Sequence, residues 1–289
     1  MPSDASERWF ELAAQFAIPQ LPVVSPTSEV ARGQLWQASW ADAAAIVLVD
    51  QVDDDGALAH VLPVSVEAGV ADATTVVVDA DHSDLHTPLS IWPTAGTWIS
   101  YAALDGLLET LMPAVLNTVS SWRGQISHTE APSPGSGAAL AIDELFDAVA
   151  TLKRAPRLEA PQTIAAGPKL DIDLGLVVET LGVTQSRAMN ILKGREPLTE
   201  DEAQSLGAAA DITADAILGA LDPLPKDLAR ELQEPRWRDS VRRCALDGDE
   251  DHGRTRLGYT IYQLAARERG TGREIWRQRL EAYVATEEH

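Results

Sequence analysis

The sequence predicts an α+β protein in two parts, a small antiparallel β-barrel followed by an all-helical domain. Short β-branched runs separated by turn residues occupy residues 32–110, a pattern typical of antiparallel strands. From residue 140 onwards, apolar residues recur at helical spacing with short connections between them. Between the two regions, residues 131–138 are rich in Pro, Gly and Ser, which disfavour regular structure. We therefore expect a domain at 1–130, a linker at 131–139 and a helical domain at 140–289.

The composition is that of a globular protein from a reducing compartment. The chain has 289 residues, enough for two domains, of which 45% are hydrophobic and 23% charged. The one cysteine, Cys244, cannot form an internal disulfide. Residues 1–7 carry acids where a signal peptide needs a basic stretch, and no apolar run reaches the roughly 20 residues that span a bilayer. These features predict a cytoplasmic protein without membrane contact.

The negative charge is concentrated in the first domain. The net charge is −21, and residues 1–130 hold three basic residues against 17 acidic ones. A phosphate backbone would be repelled by such a surface, so nucleic-acid contact from this domain is not expected. Residues 236–289 hold 11 arginines against 10 acids, so any DNA contact is expected from a local patch in the helical domain. The acidity is equally compatible with a role in solubility alone.

The acidic domain is predicted from short strands with helices on either side. Residues 3–18 place apolar side chains on one helical face. The tetrapeptide Asp53-Asp54-Asp55-Gly56 separates two β-branched runs and predicts a hairpin. Three shorter runs follow, and residues 103–117 have helical spacing. The pattern predicts an SH3-like barrel with flanking helices and with strands at 43–52, 57–66, 74–78, 89–92 and 98–101.

Residues 174–219 have the pattern of a helix-turn-helix. A first helix is expected at 174–181, followed by Gly182, since glycine adopts a left-handed C-cap without strain. Thr184 is a good N-cap for a second helix at 185–193, which would bury Ala188, Ile191 and Leu192. A third helix is expected to begin at Thr199 with a capping box closed by Glu202.

The second helix carries side chains suited to duplex DNA. A tight glycine turn holds two helices at a steep angle, so the second helix can enter the major groove with its N-terminal residues against base edges. Gln185, Arg187 and Asn190 are residue types that bind bases with two hydrogen bonds, and small hydroxyl or cationic side chains suit phosphates. Such units usually act as dimers, because one half-site buries too little surface for specificity. The predicted DNA-binding residues are Thr184, Gln185, Ser186, Arg187, Asn190, Lys193 and Arg195.

These residues resemble the phage-repressor-like (XRE/Cro-type) helix-turn-helix family. The similarity covers about 45 residues and includes the runs 181–184, 191–195 and 197–199, followed by the apolar spacing of 203–218. The segment Gly194-Arg-Glu-Pro-Leu198 is similar to antitoxin-like members, so the resemblance implies a DNA-binding regulator, including one of a toxin–antitoxin system. A departure is the Gly/Pro-containing, acidic stretch before residue 174. The alternative is a helical hairpin that contacts protein instead of DNA, with the acidic domain neutralising a basic partner.

A weaker resemblance concerns the first domain. The segments 32–36, 46–49 and 61–64 are similar in layout to the opening of MazF/PemK-like toxins, small barrels that cut RNA, and residues 104–108 resemble their closing segment. The family implies a catalytic basic residue and a hydroxyl after the Pro-containing strand. Ser65 supplies a hydroxyl but has no basic residue near it in the sequence, and RNA cleavage needs cations. We expect a catalytically silent domain that binds a protein partner or ligand; an RNA-cleaving enzyme and an unrelated β-domain are the alternatives.

The other polar clusters do not predict chemistry. A loop at 79–86 carries acids and two histidines, and 247–253 is similar to the start of a calcium loop, but the glycine is one place late and the final acid is missing. The arginines of 236–289 are interleaved with acids, which favours salt-bridged helix faces over a DNA clamp or a dimer surface. The chain has no nucleotide-binding glycine loop and no nucleophile elbow. The sequence therefore predicts no catalytic residue, metal or cofactor, and a homodimer that binds DNA.

Overall fold

The protein has an α+β architecture with an N-terminal antiparallel sheet and a helical C-terminal half. The computed structural model describes residues 29–67, 69–122, 131–158, 170–245, 248–265, 270 and 272–287. The helix expected at 3–18 lies outside these residues. The chain divides into two compact units, with the main boundary between Arg154 and Ala155. The first unit also excludes two short segments, 53–58 and 100–102, which group with the second.

Seven strands form one antiparallel sheet in the order β4-β5-β3-β2-β1-β7, with β6 paired to β3. In the described residues the two ends of this order, β4 and β7, are not paired with each other, so the sheet is open. The expected barrel closure is not seen. The edge strand β4 and its neighbour β5 have only three residues each with which to form a ladder. The strands are β1 Gln34–Trp40, β2 Ala43–Asp53, β3 Leu58–Ser65, β4 Val76–Val78, β5 Leu89–Ile91, β6 Thr97–Ser100 and β7 Leu104–Thr110.

The strand β7 corrects one sequence prediction. Residues 103–117 were expected to be helical, but residues 104–110 are a strand, and the helix α1 begins only at Pro113. The buried residues Leu104 and Gly106 alternate with the more exposed Asp105 and Leu107, the period-two burial expected of a strand. The strand pairs with β1, which the sequence analysis did not predict. In so short an apolar run, the sequence pattern of a helix cannot be distinguished from that of a strand. The pairing with β1 determines that these residues form a strand.

The first unit buries its core between the sheet and two helices, α1 (Pro113–Ser121) and α2 (Gly137–Leu152). Val115 and Val119 of α1 join the apolar cluster of the strands. On α2, the ring of Phe146 lies edge-on to Trp92, with 5.8 Å between ring centroids. Because α2 packs against the sheet, the unit extends beyond the expected linker at 131–139 and includes the helix that was assigned to the second domain.

The second unit is helical and contains two apolar clusters. One lies among the helices between residues 170 and 222, and the other lies between Leu228 and Leu280. Of the helices in the described ranges, none combines the length and the apolar composition needed to cross a bilayer. The helices are α3 Leu174–Leu181, α4 Gln185–Leu192, α5 Glu200–Ala210, α6 Ala214–Leu218, α7 Lys226–Glu231, α8 Arg238–Cys244, α9 Glu250–Leu264 and α10 Arg273–Glu287.

Candidate nucleic-acid interface

The helices α3 to α6, which we call the four-helix unit (residues 170–222), begin and end at local sequence signals. Gly182 closes α3 with φ 63° and ψ 28°, the left-handed conformation expected of it. The hydroxyl of Thr184 caps α4 by accepting from the backbone N–H of Arg187 at 3.3 Å. Thr199 and Glu202 form a complete capping box at the start of α5. These helices therefore lie where the sequence predicts them.

The inner face of α4 is fixed by a small apolar core. Ala188 and Ile191 are buried, and they belong to one cluster with Val177, Leu206 and Ile217 from the helices around them. At about 100° per residue, Ala188, Ile191 and Leu192 span one side of the helix. The burial of this side determines which side chains of α4 face outward.

The outward face of α4 is a continuous arc of exposed side chains. Gln185, Met189, Lys193 and Ser186 follow one another over about 100° of the helix circumference, and all four are exposed. Gln185 and Ser186 stand in the first turn, where a helix entering a groove presents side chains to base edges. Met189, with 39% of its surface exposed, was not predicted as a site residue, because an apolar residue on a helix is usually assigned to the core. Its position between Gln185 and Lys193 is the signal that could have identified it.

Arg187 does not have the free, outward orientation that the sequence suggested. Its Nε lies 3.4 Å from Oε1 of Glu196, and its Nη2 lies 3.0 Å from Oε1 of Glu202. Glu202 also accepts from the backbone N–H of Thr199 at 3.0 Å, so one carboxylate serves both the capping box and the ion pair. Arg187 therefore connects α4 to the loop after it and to the start of α5. The sequence showed the capping role of Glu202 but not this pairing, which depends on how the helices pack.

Asn190 is likewise engaged within the protein. Its Nδ2 donates to Oε1 of Gln263 on α9 at 3.3 Å, and Nε2 of Gln263 donates to the backbone carbonyl of Arg195. We call this arrangement the Gln263 clamp. It attaches the end of α4 and the loop that follows to a helix outside the four-helix unit. Asn190 is half-buried in consequence, so its amide is not an open base-reading group.

The electrostatics of the four-helix unit limit its attraction for phosphates. Residues 170–222, all of which are described, contain ten acids and three basic residues. Arg187 is paired with two of the acids, whereas Lys193 and Arg195 are exposed beside the outward face of α4. Exposed cations are thus few but are placed at the C-terminal end of the helix, next to the predicted base-reading side chains. Thr184, the remaining residue of the predicted set, is exposed and serves as the N-cap of α4.

Four arginines after residue 236 form ion pairs with acids on the helices. Arg273 and Arg277 donate to the buried carboxylate of Glu231, while Arg238 and Arg242 donate to Glu250. These contacts favour the interpretation as salt-bridged helix faces over a DNA clamp.

Two buried carboxylates just before this region, Glu231 and Glu234, have pKa values shifted in opposite directions. Burial raises the pKa of Glu234 above its ordinary value of 4.5, although Arg230 and Arg273 contact the carboxylate. Burial acts in the same direction on Glu231, but hydrogen bonds from Arg277, Arg273 and Trp237 outweigh it and lower the pKa. The two neighbouring acids therefore contribute to the pH dependence of the free energy of unfolding with opposite signs.

In the first unit, Ser65 and Arg32, to which the weaker resemblance points, have separate partners. Ser65 accepts from the backbone N–H of Glu67 at 3.1 Å. Arg32 instead lies 3.9 Å from a carboxylate oxygen of Asp50 and donates to the hydroxyl of Ser120 at 2.6 Å. Arg32 and Asp50 line a cleft of about 500 Å³ within this unit. In the described part of the chain, no three His, Cys, Asp or Glu side chains converge as metal ligands would.

Comparisons with known proteins identify no family for this chain. No protein-family model matches the chain, and no curated protein matches it significantly.

Proposed function

We propose that the protein is a DNA-binding transcriptional regulator whose four-helix unit docks on duplex DNA through the outward face of α4. The observation that carries this proposal is the arc of Gln185, Ser186, Met189 and Lys193 on a helix whose other side is held by an apolar core. A helix with a fixed inner side and an exposed polar first turn is the element that enters a major groove.

The side chains at the start of α4 suit contacts with bases, and those at its end suit contacts with phosphates. The amide of Gln185 suits the N6 and N7 atoms of adenine, and the hydroxyl of Ser186 can donate to or accept from a base or a phosphate. Lys193 and Arg195 suit phosphates beside the groove. Arg187 and Asn190 act in this proposal as positioning residues, because their polar groups are held by Glu196, Glu202 and Gln263.

A second copy of the chain completes the proposed regulator. One unit offers two exposed cations and a short helix, too little for a specific site on its own. A pair of units on half-sites separated by one DNA turn doubles both the base contacts and the phosphate contacts. The first unit supplies a partner- or ligand-binding module in this proposal, as in an antitoxin-like regulator.

The proposal is tested by measuring binding of the full chain to a pool of random duplexes and to the duplex upstream of its own gene, at two salt concentrations. We expect binding that weakens with salt and that falls at least tenfold in Gln185→Ala, the loss of one bidentate base contact. Gln204→Ala is the matched control, because Gln204 is an exposed glutamine of the same unit on α5. Equal affinity of Gln185→Ala and the wild type would contradict the proposed face.

A second candidate function is protein docking by the same unit. The observation that favours it is the excess of acids in residues 170–222, which includes the two glutamates that hold Arg187. An acidic helical surface suits a basic protein partner. Binding to a basic protein that survives Gln185→Ala, together with no duplex binding at low salt, would select this function over the first.

A further inference from the structure

We infer that Met189 is a specificity-determining residue that packs against the 5-methyl group of a thymine in the half-site. The inference rests on the proposed function and adds to it the base that the centre of the α4 face selects. It assigns a role to the apolar member of an otherwise polar arc.

The position of Met189 separates it from the core of the unit. Its neighbours Ala188 and Ile191 are buried, whereas 39% of Met189 is exposed. Met189 lies about 40° around the helix from Gln185 and the same angle from Lys193, so it occupies the middle of the arc. An apolar side chain at the centre of a face that meets DNA must contact an apolar group there or leave both surfaces poorly packed.

Thymine is the one base that offers such a group in the major groove. The four bases present donors and acceptors at this edge, and thymine alone adds a methyl group. The unbranched thioether of methionine has three rotatable bonds and is polarizable, so it can adapt to a methyl group at the groove floor. A guanine or cytosine at this position would place polar atoms against the thioether.

The spacing of Gln185 and Met189 on α4 predicts how far apart the adenine bound by Gln185 and the thymine bound by Met189 lie in the half-site. Residues four apart on a helix lie about 5–6 Å apart, and base pairs stack at about 3.4 Å. Gln185 and Met189 therefore address base pairs that are one or two steps apart. The half-site selected by this protein should contain an adenine and a thymine at that separation.

The experiment replaces thymine by deoxyuridine, which removes the methyl group and leaves every hydrogen-bonding atom in place. Duplexes selected by the wild-type chain are resynthesised with this replacement at one thymine at a time. We expect one position to lose about fourfold in affinity, the effect of burying one methyl group. In Met189→Ala the thymine and deoxyuridine duplexes should bind equally, and Met189→Leu should restore part of the difference.

Met112→Ala is the matched control, because Met112 is a similarly exposed methionine (48%) in the first unit. It should discriminate between the two duplexes as the wild type does. A consensus without thymine near the adenine, or discrimination that persists in Met189→Ala, overturns the inference while leaving DNA binding intact. Failure of the wild type to bind any duplex overturns the proposed function, and the role of Met189 with it. Thermal melts of the variants confirm that each is folded.

Discussion

At Arg187 one guanidinium group is shared between two carboxylates that come from different parts of the unit. The contact to Glu196 holds the loop after α4, and the contact to Glu202 holds the first turn of α5. A planar guanidinium can satisfy two acceptors in fixed directions, which a lysine ammonium on a flexible stem does less well. The geometry of α4 relative to its neighbours therefore depends on a side chain that the residue type alone would assign to base reading.

We predict that Arg187→Met lowers the free energy of unfolding by about 1 kcal/mol, since the pairs are partly exposed and screened by solvent. Gln185→Ala should change the stability by less than about 0.5 kcal/mol, because its side chain lies at the surface. Urea denaturation of both variants measures the difference. If Arg187→Met is as stable as the wild type yet loses more DNA affinity than Gln185→Ala, Arg187 is a base-reading residue after all.

The two buried glutamates give a prediction for pH. The raised pKa of Glu234 means that its ionised form costs stability above the folded-state pKa. As the pH falls through that pKa towards 4.5, the wild type should gain stability relative to Glu234→Gln, which carries no titrating group there. The lowered pKa of Glu231 acts in the opposite direction: its contribution is present above pH 4.5 and is lost as the pH falls through its folded-state pKa. Stability curves that stay parallel for wild type and Glu234→Gln from neutral pH to 4.5 would refute the assignment.

At the scale of the elements, the glycines at the ends of α3 and α4 are required for different structural reasons. Both have positive φ, 63° at Gly182 and 67° at Gly194. At Gly182 an added Cβ would meet nothing within 4 Å, so the residue is needed for its conformation alone. At Gly194 a Cβ would meet the carbonyl oxygen of Ala220 and lie 2.9 Å from the backbone nitrogen of Asp222. The absence of a side chain there lets the segment after α6 return against the end of α4.

We predict that Gly182→Ala costs about 1 kcal/mol, the strain of a left-handed residue, whereas Gly194→Ala costs about 3 kcal/mol because backbone atoms must also move. Comparing the thermal unfolding of the two variants isolates the packing contribution, since the conformational cost is common to both. Similar losses in the two variants would show that the approach of Ala220 to Gly194 does not constrain the unit.

The helices of the four-helix unit could be predicted because the residues that cap each helix end lie within a few positions of that end. Thr184, Thr199 and Glu202 cap within three positions, and Gly182 terminates its helix by its own conformation. The strand β7 could not be predicted, because its identity depends on pairing with β1, about 70 residues earlier in the chain. The same limit applies to the candidate site: exposure of Gln185 follows from helical periodicity, but the partners of Arg187 and Asn190 are set by packing between helices.

For the whole molecule, charge is the dominant constraint on the proposed function. The chain carries a net charge of −21, and residues 170–222 contribute −7 of it. Long-range steering to DNA is therefore unfavourable, and affinity must come from close contacts at the α4 face. The ion pairs of Arg238, Arg273 and Arg277 reinforce this, because the charge of these three side chains is neutralised within the protein.

We predict a shallow dependence of DNA affinity on salt. Two exposed cations on each unit, Lys193 and Arg195, correspond to a slope of log affinity against log salt of about −2 for one unit and about −4 for a pair. Titrations at several salt concentrations measure this slope, and Lys193→Ala should reduce its magnitude by about 1 for each unit bound. A slope steeper than about −6 would mean that cations outside the four-helix unit reach the backbone of the DNA.

The Gln263 clamp means that the structural integrity of the four-helix unit depends on a residue outside its own sequence range. A fragment ending at Asp222 would retain every helix and cap described for the unit, but it would lose the acceptor of Asn190 and the donor to the Arg195 carbonyl. The loop that carries Arg195 would then keep its contact between Arg187 and Glu196 but lose its attachment to α9. Transfer of the four-helix unit to another protein should therefore include α9 as well as residues 170–222.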